Sequence, residues 1–274
     1  MDDDTLPFPL RPRNLHRTSS IIELRQGGAR IRRGPEPPGT VQKELEQGFH
    51  RAYPSNLRVN DRAGRPLYFH YSAGRRFWVD SHKLVAGRTL FGCFWNQNGE
   101  RVGTIQLHEW HPGLLVPNDD FFWAMDERDD ETCAVAKVLI EAWDIQELIE
   151  AGPILEFSSL WMHPDHSKGS VWAPALEALI RRRYRNRFSV MVLKAFPIEY
   201  SGAVPGGSPL EKGFVSRSRA MQRLHARVIG AASLPGELGD CGWMWRPLSD
   251  GAPQPERAKE GRGGLTIRIH AAAL

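Results

Sequence analysis

The chain has 274 residues, 41% of them hydrophobic and 25% charged, with a formal net charge of +4. That balance belongs to a globular protein of one or two domains, long enough to bury a core without staples. Cys93, Cys133 and Cys241 stand far apart and form no CxxC pair, which excludes a zinc ribbon and a disulfide framework, and no apolar run approaches the roughly 20 residues of a bilayer span.

Residues 1–40 are rich in Arg, Pro and Gly, and from Arg11 to Arg33 seven arginines face one acid, Glu23. This composition predicts a disordered basic arm, either merely solvated or in contact with nucleic acid or an acidic protein. The acidic opening MDDDTLPFPL has no apolar signal core, so a cytoplasmic protein with no membrane partner is expected. A folded domain is predicted over 41–248, followed by a polar linker and tail over 249–274. Val41–Tyr53 reads as a helix stopped by Pro54. Leu67–Tyr71 and Phe77–Val79 read as short strands, with a turn at Ser72–Gly74. Thr89–Trp95 and Arg101–Trp110 read as a hairpin around Asn98-Gly99, a strong turn signal between apolar runs.

Val135, Val138, Leu139, Ala142, Ile145 and Leu148 have helical spacing, which predicts one helix over 131–149 ended by Gly152-Pro153. Ile154–Met162 is predicted as a buried strand, Ala173–Tyr184 as a helix and Phe188–Phe196 as a second buried strand. Ser216–Ile229 is a predicted helix stopped by Gly230, and Trp243–Pro247 a last short strand. In the tail, Leu265, Ile267 and Ile269 alternate with polar residues, which reads equally as a terminal strand or as a neutral tail.

The stretch ILEFSSLWMHPDHSKGSVWAPALEALI carries the most specific chemistry. A strand feeding a small-residue turn at a helix N-terminus leaves N–H groups unpaired at a partly positive helix end, which suits a phosphate-bearing ligand. It resembles the acyl-CoA pyrophosphate loop of the GNAT N-acyltransferase superfamily. There a strand and a Pro-Asp-like turn lead into Arg/Gln-x-x-Gly-x-Gly/Ala and a helix. With Leu176 on the family's helical Leu, Lys168 falls on Arg/Gln, Val171 on the first Gly and Ala173 on the second Gly/Ala. Val171 departs from the pattern, and Gly169 is the residue free to give close backbone approach in its place.

The resemblance, moderate over residues 85–248, implies an α/β fold: a GNAT-like mixed twisted sheet with helices on both faces. Element order and the resemblance together give about six or seven strands. It also implies a CoA-dependent N-acyltransferase moving an acyl group from acetyl-CoA or another acyl-CoA to an amine acceptor, without a metal. Lys168, Gly169, Ser170, Val171 and Ala173 would then hold the pyrophosphate. Backbone at Leu160, Trp161 and Met162 would hold the pantetheine arm, where strands 154–162 and 188–196 splay beside Pro197.

The reaction needs a base for the amine proton and an acid for the thiolate. Glu156 on the motif strand and Glu199 past the next strand are candidate bases, with Glu109 a third. His225 falls where the family places a tyrosine acid; the competing reading is a surface histidine on an amphipathic helix. His108/His111 and His163/His166 have the spacing of a ligand pair, but both pairs sit at predicted strand ends or turns with no third ligand in view, so they read as paired turn histidines without a metal. Arg181, Arg182, Arg183, Arg185 and Arg187, with Tyr184 and Phe188 between them, complement a helix dipole or form a nucleic-acid patch. Two other functions compete with the acyl-CoA enzyme. One is a catalytically degenerate GNAT-shaped module that binds nucleic acid or an acidic protein. The other is an acyltransferase fed by a carrier-bound donor.

Overall fold

The computed structural model describes residues 57–114, 116–195 and 209–256. The basic arm, the helix expected over 41–53, Pro197, Glu199 and the strand expected near 265–269 lie outside the described residues. The strands are β1 Leu57–Asn60, β2 Pro66–Ala73, β3 Phe77–Trp78, β4 Val85–Trp95, β5 Arg101–Pro112, β6 Ile154–Met162, β7 Val190–Lys194, β8 Ala232–Ser233 and β9 Trp243–Pro247. The helices are α1 Asn118–Asp126, α2 Asp130–Ala142, α3 Ile145–Glu150, α4 Trp172–Leu179, α5 Pro209–Ile229 and α6 Gly236–Asp240. Strand order is β1-β2-β4-β5-β6-β7-β9-β8, with β3 on β4, nine strands where six or seven were expected. The class is α/β with an open mixed sheet, mostly antiparallel; β6 and β7 are parallel, joined through α4.

By chain contacts the fold divides into two compact units. Of the described residues, the first takes those up to Phe77, Arg88–Gln106 and Leu160–Val171; the second takes Trp78–Gly87, Leu107–Ser159 and those from Trp172 on. In the first unit, Leu67, Phe69, Leu90, Phe94 and Ile105 are buried, and the Phe69 and Phe94 rings meet at 4.7 Å across paired positions. Gly92 makes room for this: a Cβ there would stand 2.5 Å from the Phe69 ring. The expected Asn-Gly turn closes β4 onto β5, with Asn96 N–H donating to the Glu100 carbonyl.

In the second unit, β6 and β7 are covered on both faces. The side chains of Ile154–Phe157 and Val190–Leu193 are all buried, as suits a strand pair joined by a helical crossover. Successive side chains of a strand point to opposite faces. Glu156 faces the start of α2, and Phe157 packs on Trp172 of α4 and His225 of α5. Helices therefore lie on both faces here.

The single helix expected over 131–149 is two, because Trp143 is extended (φ −137°) and Asp144 caps a new helix by accepting from the Gln146 and Glu147 N–H groups. α4 does not continue to Tyr184 as an α-helix; Ile180–Tyr184 is a π-helical turn closed by Arg185 N–H to the Ile180 carbonyl. The polar segment expected as a linker begins pinned: the Pro253 carbonyl accepts from Trp143 Nε1 at 2.9 Å, and Glu256 N–H donates to the Ala142 carbonyl. Among the described residues no helix is long and apolar enough to cross a membrane.

Candidate active site

The turn after β6 is built inside the first unit. His163 N–H donates to the Val102 carbonyl, its ring Nδ1 accepts from Asp165 N–H, and Pro164–His166 forms one 3₁₀ turn. Below it the buried His166 ring sets Nδ1 3.0 Å from Asp61 Oδ2. Asp61, itself buried, also accepts from the N–H groups of Ala63 and Arg65 and from Arg65 Nε at 2.7 Å. Arg65 then donates to the Asp165 carbonyl. Burial alone would raise the Asp61 carboxyl, but hydrogen bonds from the Arg65 backbone and guanidinium and from His166 outweigh it and hold the pKa at about 2. The second histidine pair is thus accounted for by a cap and a buried hydrogen-bond contact to Asp61. Among the described residues no group of three His, Cys, Asp or Glu side chains gathers that could hold a metal.

Lys168 and Gly169 are exposed and Ser170 is half-buried. Gly169 (φ +83°) and Ser170 (φ +53°) are both left-handed, a conformation a non-glycine residue such as Ser170 adopts only at some cost. Val171 and Ala173 are buried, so their side chains belong to the packing and only their backbones bear on a ligand. Leu160, Trp161 and Met162 are half-buried at the end of β6. The parallel register runs from Leu155↔Met191 to Phe157↔Leu193, and β6 continues beyond it to Met162.

Glu156 is buried on β6, and its Oε2 accepts from Trp110 Nε1 at 3.0 Å. Desolvation is the dominant influence on this carboxyl. The Trp110 bond and Arg128 pull it down and the charges of Glu131 and Asp129 push it up, for a pKa of about 8. Trp110 is held by the His108 ring stacked at 5.4 Å and by the Arg128 guanidinium 5.6 Å from its centroid.

Glu109, next to Trp110 on β5, faces the other side of the sheet. Its Oε1 accepts from Arg183 Nε at 2.9 Å and from the Tyr184 hydroxyl at 3.0 Å, and His111 Nε2 stands 3.5 Å from Oε2. Both donors engage the same one of its two carboxylate oxygens. Burial, and then the Glu109 charge, push the Tyr184 hydroxyl up.

His225 is buried, with Trp172 edge-on at 5.9 Å and Phe157 at 6.2 Å; it is not a surface residue of α5. Its Nδ1 has no hydrogen-bond partner among the described residues, and burial pulls its pKa down to about 4, so the ring is neutral at pH 7. An imidazolium donor is not available there. The structure does not bring His225 and Glu156 together, because Glu156 and Phe157 project from opposite faces of β6. Glu199 lies outside the described residues.

Sequence reasoning missed the partners: Trp110 and Arg128 around Glu156, and Asp61 and Arg65 beneath the 163–170 turn. Asp61-x-x-Gly64, a turn signal with Gly64 at φ +78°, marked the second pair. A second-unit cleft of about 480 Å³ is lined by Asp80, Trp123, Asp126 and Glu127 among others, but not by Glu156. Asp80 is committed to the Leu84 and Val85 N–H groups and Glu127 to Ser81. No family model matches the chain, and no curated protein or solved structure gives a significant match.

Proposed function

We propose that the chain is an N-acyltransferase of GNAT type, moving an acyl group from an acyl-CoA thioester to an amine, with Glu156 as the base. One observation carries this reading: a buried carboxyl with a pKa of about 8 on the strand that leads to the phosphate-loop-like turn. A base with a pKa near the working pH combines a usable ionised fraction with real proton affinity. The amine nitrogen forms the new C–N bond, the C–S bond breaks, and the amine proton passes to the Glu156 carboxylate. The neutral His225 has no proton to give as an imidazolium, so in this scheme the departing thiolate takes its proton from solvent, and Glu156 returns the amine proton to solvent.

Support for the donor site is local. Gly169 gives close backbone approach, with the nearest atom to a Cβ placed there being Arg62 Cβ at 3.6 Å. Lys168 supplies an exposed charge. The N–H groups of Gly169–Val171 and Ala173 would hold the pyrophosphate, and the Leu160–Met162 backbone the pantetheine arm. The parallel β6–β7 pairing fits the same fold family, and a cytoplasmic site of action belongs to the same proposal.

The test is calorimetric titration of the purified protein with acetyl-CoA and CoA, beside Lys168→Glu. Micromolar binding to the wild type, lost in the variant with thermal stability unchanged, is the expected result. Absence of binding to the wild type, or equal binding by both proteins, overturns the donor assignment.

A further inference from the structure

Six arginines lie in or against the chain that follows α4: Arg181, Arg182, Arg183, Arg185 and Arg187, and Arg246 of β9, which reaches back to α4 itself. Two carboxylates meet this group, and both are taken. Glu109 is held by Arg183. Glu177 is chelated by both Arg246 nitrogens, at 2.6 and 3.2 Å. The pKa of Glu177 is lowered first by the Arg246 hydrogen bond, with Arg181 and Arg185 adding only their field. The side chains of Arg181, Arg182, Arg185 and Arg187 are exposed and make no hydrogen bond or ion pair with any described residue.

The π-helical turn produces this arrangement. Its widened turn sends Arg183 and Tyr184 inward to Glu109 and leaves Arg181, Arg182 and Arg185 outside. Asn186, left-handed at φ +58° and tied by its N–H to the Leu248 carbonyl, then returns the chain so that Arg187 is exposed as well. Dipole compensation accounts for charge in the last helical turn and fades beyond it. It does not require four uncompensated guanidinium groups, nor that every cation be arginine, whose planar fork matches phosphate oxygens in pairs.

We propose that this patch binds the phosphate backbone of duplex nucleic acid. Two observations select that partner. The rings next to these arginines are buried, Tyr184 at 0% and Phe188 at 6% exposure, so neither offers a platform to unstacked bases. The exposed side chains from 181 to 187 are four arginines and Asn186, with no apolar anchor of the kind that concentrates binding energy at a protein interface. Duplex phosphates, at one charge per about 1.7 Å of axis, supply the charge density the patch lacks. Recognition is then indifferent to sequence.

The test measures fluorescence anisotropy of a labelled duplex DNA of arbitrary sequence with the full chain, from about 50 to 200 mM salt. The comparison is with the variant carrying Arg181→Gln, Arg182→Gln, Arg185→Gln and Arg187→Gln. Both proteins keep the seven N-terminal arginines, so the difference reports the patch. The slope of log K against log salt should flatten by about 0.9 per arginine removed, roughly 3 to 4 in all. Acetyl-CoA affinity should be unchanged. The four single variants, each flattening the slope by about 0.9, carry the same test if the quadruple variant does not fold. Equal slopes for wild type and variants overturn the proposal, since the N-terminal arm then does the binding. Competition by polyglutamate as effective as by duplex at equal charge also overturns it, in favour of an acidic protein.

Discussion

Glu109 and Glu156 are the same residue type on neighbouring strands, and their surroundings give them different chemistry. Glu109 meets a guanidinium and two further polar groups; Glu156 is buried with one indole N–H bonded to it. The folded pKa of Glu156, about 8, lies above its ordinary 4.5, so folding favours the protonated form. The stability this carboxyl contributes is fully present below about pH 4.5 and is lost as pH rises through 8, at up to about 1.4 kcal/mol per pH unit. Glu156→Gln keeps an oxygen for Trp110 and has no proton to lose. The variant should therefore melt above the wild type at pH 8 to 9, with the gap closing toward pH 5. On the proposed mechanism it should also lower turnover by about 10²- to 10⁴-fold. Melting curves across pH decide the first point, and a gap that does not change with pH would contradict the buried neutral acid.

Among the elements, the turn 163–170 depends on residues about 100 positions earlier. Asp61 joins the β1–β2 turn to His166, and Arg65 joins it to the Asp165 carbonyl. Asp61→Ala orphans the buried His166 ring, at about 1–3 kcal/mol for a buried group left unpaired, and frees the N–H groups of the exposed Ala63 and Arg65. Faster amide exchange over 163–171 and weaker CoA binding should follow together. Unchanged exchange there would mean the turn stands without Asp61. The folded pKa of Asp61 is depressed to about 2, so its contribution is present above its ordinary 3.8 and lost only as pH falls through 2. The turn should keep this support throughout the neutral range. Much of this layer was legible. β6 and β9 have the bounds their apolar runs predicted, and Asn98-Gly99 closes its hairpin. The break at Trp143 was written as Asp144-x-x-Glu147, a cap signal that the continuing apolar spacing masked. α1 was missed although Pro117, acids at 119 and 120, and buried Phe121, Ala124 and Met125 mark its start and its inner face.

For the whole molecule, sequence order could not disclose sheet order. β9 enters between β7 and β8, which precede it in the chain, and nothing local in Trp243–Pro247 encodes that choice. The run Ile154–Phe157 is buried on every residue, so it lacks the alternation that would have placed Glu156 and Phe157 on opposite faces. Continuous burial also sets which strands open last. β7 pairs with β9 along its length and with β6 over Met191–Leu193, under side chains no more than 1% exposed from Val190 to Leu193. β8 pairs through two exposed residues, Ala232 and Ser233, and β1 alternates exposed Arg58 and Asn60 with buried Val59. Opening energies follow buried contacts and solvent access to the ladder. Native-state hydrogen exchange should therefore find the slowest strand amides in Ile154–Phe157 and Val190–Leu193, and faster ones in β1 and β8. If β1 exchanged as slowly as β7, stability would not follow burial in this sheet, and the β6–β7 pair would lose its standing as the rigid base from which Glu156 is presented.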